Sequence, residues 1–452
     1  MKILLVVHQF FPHHATGTQV LTLELARGLT RRGHHVDILT GESDSGESDS
    51  GESATIPPWL TETLYDGFTV HRLHYSNEHS PNPIGLHSSA PDRVELARTV
   101  VSRTRPEIVH VHHALGLSSS LIPAVRMLRT PVVYTATDYW AVCPQYTLLH
   151  SFDGKLCTGP GGGLDCIRCC VRRFARRPQY VARIARCVAR LRIANSRWTL
   201  RQVDAVTRRA QTVATHVNAA SMIISATKFL AEALIRNGID ARLMRIIPYG
   251  IDIGAVGQKP EVPRCFTRAA PLRLAFMGTL SEHKGPHVIL EALTALGERA
   301  REVLLHIYGA QRPGNAYYEE LCAQVGRLGG IAEMKGTFPH DRIGEVMATH
   351  HLLIVPSLWY ESTPLVLCAA LAAGIPALVS RLGGLTEIVE EDSNGFSFAA
   401  GDATALKNVL LRLLDRPRIV ADLQRTTLAR CRSTADYAAD IEAAYVEVRG
   451  GQ

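Results

Sequence analysis

Residues 2–40 read KILLVVHQFFPHHATGTQVLTLELARGLTRRGHHVDILT. The apolar run from Ile3 to Val7 is too continuous for a half-exposed strand and suits one buried on both faces. Residues 18–33 then place apolar side chains at helical spacing and stop at Gly33. HHVDILT (34–40) is apolar again and reads as a second strand. Strand, helix and strand in this order form a βαβ unit, so the two strands run parallel in a sheet covered by helices on both faces.

The alternation continues outward. FTVHRL (68–73) reads as a strand, 90–105 as a helix, EIVHVHHA (107–114) as a strand, 118–129 as a helix and TPVVYTATD (130–138) as a strand. ASMIISATKFLAEALIRNG (220–238) reads as strand then helix, and RIIPYGID (245–252) follows. A proline-containing stretch, 253–270, is a linker, after which the pattern restarts with strands at 272–280, 303–309, 331–338, 351–357 and 375–380. Helices fall at 286–297, at 316–328 and after Thr363. At 452 residues, two domains of about 200 residues each fit this pattern. The reading predicts an α/β chain of two doubly wound, Rossmann-like domains, 1–252 and 271–430, with 431–452 a C-terminal helix packing back on the first. In such sheets ligands lie beyond the carboxyl ends of the strands, and two facing sheets place the site in the cleft between domains.

Two segments break the alternation. GESDSGESDSGES (41–53) repeats an acidic five-residue unit without apolar side chains and reads as a disordered surface loop. An insertion at about 139–200 is rich in cysteine and arginine. Cys143, Cys157, Cys166 and Cys169, the last two spaced Cys-x-x-Cys, make a candidate tetrahedral zinc site; the alternative is a packed cluster of unpaired thiols. Residues 172–198 alternate arginine with apolar residues at helical spacing, which suits either an anionic membrane surface or a solvated cationic face. No nucleic-acid-binding motif accompanies this charge, so nucleic acid is the least favoured partner. The longest apolar runs fall short of the roughly 20 residues that span a bilayer. The start, MKILLVVHQF, reads as a buried strand rather than a signal peptide, so a cytoplasmic protein is expected, peripheral on the inner membrane face if 172–198 binds lipid.

Four segments carry candidate chemistry. In 359–374, WYESTPLVLCAALAAG, Glu361 precedes a helix opened by Thr363 as cap and Pro364 at the first position, and the helix amides suit an anion. In FMGTLSEHKGP (276–286), Lys284 lies between strand and helix, where an ammonium can neutralise phosphate. In FPHHATGTQ (11–19), Gly17 and Thr18 open a helix and permit close backbone approach. In GLTEIVEEDSNG (384–395), Glu387 near a helix start is either a substrate contact or a capping residue.

In order and spacing, the segments FPHHATGTQVLTLELARGLTRRGHHVDILT, IIPYGID, FMGTLSEHKGPHVILEAL, IVPSLWYESTPLVLCAALAAGIPALVS and RLGGLTEIVEEDSNGFSF resemble the family 4 glycosyltransferases, which have the GT-B fold. The resemblance covers nearly the whole chain and is most specific over 354–398. It implies sugar transfer from a nucleotide diphosphate sugar to a glycan or lipid-linked acceptor, with retention of configuration and no cofactor or metal for the transfer. It implies that Gly17 and Thr18 lie by the donor phosphates, that Lys284 binds the diphosphate, and that Glu361 binds donor-sugar hydroxyls. The amides of Leu365 and Val366 would face phosphate. The chain also departs from the family pattern. Ala369 stands where the motif has a second Glu, Thr279 where many members have a phosphate-binding Arg, and Thr137, before Asp138, where many have His. These departures leave a second reading open, a non-catalytic relative that binds a nucleotide sugar or a partner protein.

Overall fold

The computed structural model describes residues 1–43, 57–76, 85–161, 163–175, 196–251, 262–427 and 432–450. The acidic repeat from residue 44, 176–195 of the arginine-rich segment and 253–261 of the linker lie outside the described residues. The chain divides into two units, Met1–Pro248 with Tyr437–Gln452, and Tyr249–Asp436.

The first unit holds eight strands among the described residues: β1 (Lys2–Val7), β2 (His35–Ser43), β3 (Trp59–Tyr65), β4 (Phe68–Tyr75), β5 (Ile108–Val111), β6 (Val132–Ala136), β7 (Met222–Ser225) and β8 (Met244–Ile246). Their order is β3-β4-β2-β1-β5-β6-β7-β8. Every pair is parallel except β3–β4, a hairpin in which Tyr65 pairs with Phe68. Ile3–Val7 and all four residues of β5 are buried, as continuous apolar runs in a doubly covered sheet should be. Helix Gly17–Arg31 ends where Gly33 adopts φ +83°, a left-handed turn that costs glycine little.

Two local expectations change here. Gly41, Glu42 and Ser43 belong to β2 rather than to the acidic loop, because they pair with Leu73, His74 and Tyr75 of β4. The strand β3 carried no periodic signal: it is an edge strand with little buried side chain, and Leu64 is 76% exposed. Helix Thr434–Gly450 contributes its residues from Tyr437 onward to the first unit. There Tyr445 Oη hydrogen-bonds His110 Nδ1 of β5 at 2.7 Å, and Arg449 pairs with Glu107 at 2.7 Å.

The second unit is a six-stranded parallel sheet: β9 (Leu272–Met277), β10 (Val303–Tyr308), β11 (Ala332–Gly336), β12 (Leu352–Val355), β13 (Ala377–Ser380) and β14 (Gly395–Phe398), in the order β11-β10-β9-β12-β13-β14. Alternate residues of β9 sort into two apolar layers. Leu272, Leu274 and Phe276 pack with helices Pro286–Ala295 and Ala403–Asp415. Ala275 and Met277 pack with helix Leu365–Ala372. The sheet grows one way from β9 through β10 and the other way from β12, so the strand order reverses between β9 and β12. A crevice at the carboxyl ends of two such strands is where doubly wound sheets take ligands.

Candidate active site

The loops leaving β9 and β12 meet at this reversal. After β9, Glu282–Lys284 forms a single 3-10 turn closed by Gly285 at φ +71°. A Cβ on Gly285 would stand 2.1 Å from the carbonyl oxygen of Pro356, so only glycine allows the two loops this close. Leu358 N–H donates to His283 C=O at 2.8 Å and ties the loops together.

That approach delivers Lys284 to Glu361. Lys284 Nζ donates to Glu361 Oε1 at 2.7 Å and lies 5.0 Å from the Trp359 ring centroid. Ser357 Oγ donates to the same Oε1 at 2.6 Å and Trp359 Nε1–H at 2.8 Å. Glu361 is only 4% exposed, and three donors on one oxygen meet the cost of burying its charge. They all fix the one oxygen, Oε1. The His283 ring packs edge-on to Trp359 at 5.5 Å; burial, then the Lys284 charge, holds this imidazole below its ordinary range. Ser357 and Trp359 were not singled out in the sequence, although both lie within four residues of Glu361. Their role depends on a chain reversal after β12 that periodicity does not encode.

The helix after Glu361 differs by one residue from expectation. Pro364, extended at ψ 119°, is the cap, and the helix runs Leu365–Ala372. Thr363 does not cap it; its Oγ1 is buried without a partner. Pro364 is itself extended rather than helical, which moves the helix start to Leu365. Intrahelical bonding begins with Leu367 N–H to Pro364 C=O at 3.0 Å, so the amides of Leu365 and Val366 precede it. Ala369 is fully buried in the apolar layer and presents no polar atom. Gly384 N–H donates to Glu361 C=O at 3.2 Å, which brings helix Leu385–Ile388 and its exposed Glu387 to the same end of the sheet. Thr279, exposed, follows β9.

Gly17, Thr18 and Asp138 belong to the first unit. Gly17 is exposed, and a Cβ there would meet nothing within 4 Å, so packing does not demand glycine. Thr18 Oγ1 donates to Thr137 Oγ1 at 3.3 Å, and Asp138 Oδ2 lies 3.2 Å from His113 Nε2.

Among the described residues no group of three or more His, Cys, Asp or Glu side chains, Cys143, Cys157, Cys166 and Cys169 included, has the geometry to hold a metal ion. The thiols have local partners instead. Cys157 Sγ takes Gly159 N–H at 3.4 Å and donates to its C=O at 3.2 Å, and Gln145 Nε2 reaches Cys170 Sγ at 4.0 Å. Burial pushes the Cys166 thiol up to about 12 and the Cys170 thiol up to about 11. Arg209, beyond the arginine-rich segment 172–198, is buried. It is 1% exposed and donates to Trp140 C=O at 2.6 Å and His87 Nδ1 at 3.1 Å.

Two α/β sheets, parallel but for the β3–β4 hairpin, match the architecture of GT-B glycosyltransferases. Sucrose-phosphate synthase from Thermosynechococcus elongatus superimposes with TM-score 0.65 at 18% identity over 100% of both chains. The Anabaena protein Alr3699/HepE in complex with UDP-glucose gives 0.62 at 18% identity over 99% of this chain and 100% of that one. The model of Glycosyltransferase Family 4 matches residues 15–254, more than half of the chain, and that of Glycosyl transferases group 1 matches 267–430. The chain belongs to glycosyltransferase family 4. Among curated relatives, the amylovoran biosynthesis glycosyltransferase AmsK of Erwinia amylovora is 29% identical over 177 residues, 36% of this chain and 42% of that one. The chain spans between a third and a half of the length of the curated relatives it matches.

Proposed function

We propose that this protein transfers a sugar from a nucleotide diphosphate sugar to a glycan or lipid-linked acceptor, with retention of configuration, as in polysaccharide assembly. The observation that carries the reading is the convergence of Lys284, Ser357 and Trp359 on Glu361 Oε1 at the β9/β12 reversal. A carboxylate held by three donors on one oxygen is suited to accept hydrogen bonds from sugar hydroxyls through its other oxygen. Lys284 and the Leu365 and Val366 amides are the cationic and dipolar groups next to it. As the glycosidic bond breaks, negative charge accumulates on the departing diphosphate. Donors fixed in advance at that point lower the barrier without a metal. The departing phosphate then helps remove the proton of the acceptor hydroxyl on the same face, which retains configuration. UDP-glucose in the Anabaena neighbour makes UDP-sugars the first donors to try.

The second reading, a non-catalytic nucleotide-sugar or partner-binding protein, draws on Ala369, Thr279 and Thr137. Losing a hydrogen-bonded ribose contact at Ala369 weakens donor binding by about 1–3 kcal/mol, a tenfold to hundredfold effect rather than abolition. Incubation with a panel of UDP-, GDP- and ADP-sugars separates the two: the transferase releases nucleotide, and Glu361→Ala abolishes release. Binding by calorimetry with no release from any donor overturns the transferase reading in favour of the binding protein.

Among the described residues no helix is long and apolar enough to cross a membrane. We place the protein at the cytoplasmic membrane face through the cationic segment 172–198. Binding to anionic liposomes that weakens with salt supports this, and equal binding to neutral liposomes removes it.

A further inference from the structure

The first unit carries a cavity at the amino ends of β7 and β8, the end of the sheet opposite to the one where doubly wound sheets take ligands. β8 is an edge strand of three residues. The turn before it, the residues leading into β7 and the C-terminal helix Thr434–Gly450 enclose about 360 Å³. Arg126, Ser221, Arg242, Arg245 and Glu447 supply polar groups to the lining, and all five belong to the first unit. Two of the three guanidinium groups are already paired. Arg245 Nη2 donates to Glu447 Oε1 at 2.6 Å, and Arg242 holds Asp240 through Nε at 3.1 Å and Nη2 at 2.6 Å. Arg126, the last residue of helix Leu121–Arg126, pairs with no acid among the described residues. Ser221 Oγ accepts Val132 N–H at 3.3 Å, a bond that does not use its own hydroxyl hydrogen. Apolar side chains flank these groups along the chain. Met127, next to Arg126, is 80% exposed, Ile246, next to Arg245, is 41% exposed, and Val446, next to Glu447, is 59% exposed. Single exposed apolar residues are ordinary, but here three of them adjoin the lining of one cationic cavity.

We infer that this cavity binds the phosphodiester headgroup of an anionic membrane lipid, at a site separate from that of sugar transfer. The charge sets the ligand. Glu447 and Asp240 balance two of the three arginines, so the surplus is the one positive charge of Arg126. A phosphodiester carries one negative charge and matches that surplus, whereas a diphosphate would also meet the Glu447 carboxylate. The planar fork of a guanidinium donates to two phosphate oxygens at once, and the Ser221 hydroxyl is a further donor. The apolar flank sets the source. Met127, Ile246 and Val446 gain nothing from a soluble phosphate ester or from the backbone of a nucleic acid, but they gain burial from acyl chains at a membrane surface. The cavity owes nothing to the cationic segment 172–198, which supplies none of its lining.

The test uses the full chain and dihexanoylphosphatidylglycerol below its micelle concentration, with binding read by calorimetry. It needs neither a sugar donor nor a bilayer, so its outcome is independent of the transferase reading. The wild-type chain should bind this lipid. Arg126→Gln should weaken binding about tenfold to hundredfold, the effect of losing charge-assisted hydrogen bonds, and Arg126→Lys should recover part of it. Glu447→Gln releases Arg245 and removes the carboxylate from the lining, so it should tighten binding about threefold. Met127→Ser should weaken lipid binding about threefold and leave binding of glycerophosphoglycerol, the same headgroup without acyl chains, unchanged. Should Arg126→Gln fail to fold, Glu447→Gln decides alone: tightening supports the site, and unchanged or weaker binding overturns it. No binding by the wild-type chain, or equal binding by wild type and Arg126→Gln, overturns the inference. Glycerophosphoglycerol or an oligothymidylate bound as tightly as the lipid also overturns it, and makes a soluble phosphate ester or a nucleic acid the occupant.

Discussion

At the β9/β12 reversal an ammonium and a carboxylate meet, and both retain some access to a ligand. At the β1/β5 turn, where the strand order of the first sheet reverses, burial holds the imidazoles of His8, His110 and His112 below their ordinary range. The two sheets share a topological device, yet they handle charge in opposite ways. In the second unit, charge is held by direct pairing: three donors stabilise Glu361 at 4% exposure. In the first, apart from the Asp138 carboxylate that His113 and Trp140 contact, charge is kept out by burial: His110 and His112 are fully buried, which pushes His112 down to about 3 and His110 well below its ordinary value, with His112 lowering it further. A paired carboxylate needs its partners in place. A neutral imidazole needs only a pH above its unfolded pKa.

Acidification should separate the units most strongly. Below about 6.5 the unfolded chain protonates His8, His110 and His112, whereas the folded chain does not. Stability is therefore complete above that pH and is lost as pH falls toward the folded values. The loss is on the order of 2 kcal/mol per histidine between pH 6.5 and 5. The second unit has His350, lowered to about 4 by burial, and half-buried His306 and His283, lowered chiefly by the same cause. Hydrogen exchange at pH 7 and pH 5, corrected for intrinsic rates, should show β1, β5 and β6 losing protection before β9 and β12; the reverse order breaks the comparison.

Gly285→Ala is the next largest effect. Its Cβ would meet Pro356 C=O at 2.1 Å in a left-handed backbone, and a melting measurement should show a loss of about 3 kcal/mol, confined to the second unit. Glu361→Gln keeps the shape and removes the charge, leaving Lys284 unpaired. Nucleotide release should fall about a hundredfold, in line with losing one preorganised electrostatic contact. Trp359→Phe removes one N–H donor and keeps a ring near Lys284, so release should fall about tenfold while the melting temperature changes little. A larger drop for Trp359→Phe than for Glu361→Gln would mean that the indole, not the carboxylate, organises the site.

The alternation of apolar strands and helices was legible from the first forty residues, because buried parallel strands must be continuously apolar. The edge strand Trp59–Tyr65 was not legible, because its side chains have little to bury. The segments holding Lys284 and Glu361 could be picked out one at a time, each as a loop between strand and helix. Thr363 misled because its chemistry suits a cap, whereas Pro364 stays extended and the helix starts only at Leu365. For the four cysteines, spacing describes the chain and not where the thiols point.

The sequence by itself determined the class of fold and the short loops that carry charge, since both are written in contiguous residues. Tertiary structure decided which partners each charge has. Lys284 reaches across 77 positions to Glu361, and His113 crosses from one strand to the next to hold Asp138. Such pairings depend on strand order and on one close backbone approach at Gly285, and neither has a signature in local composition.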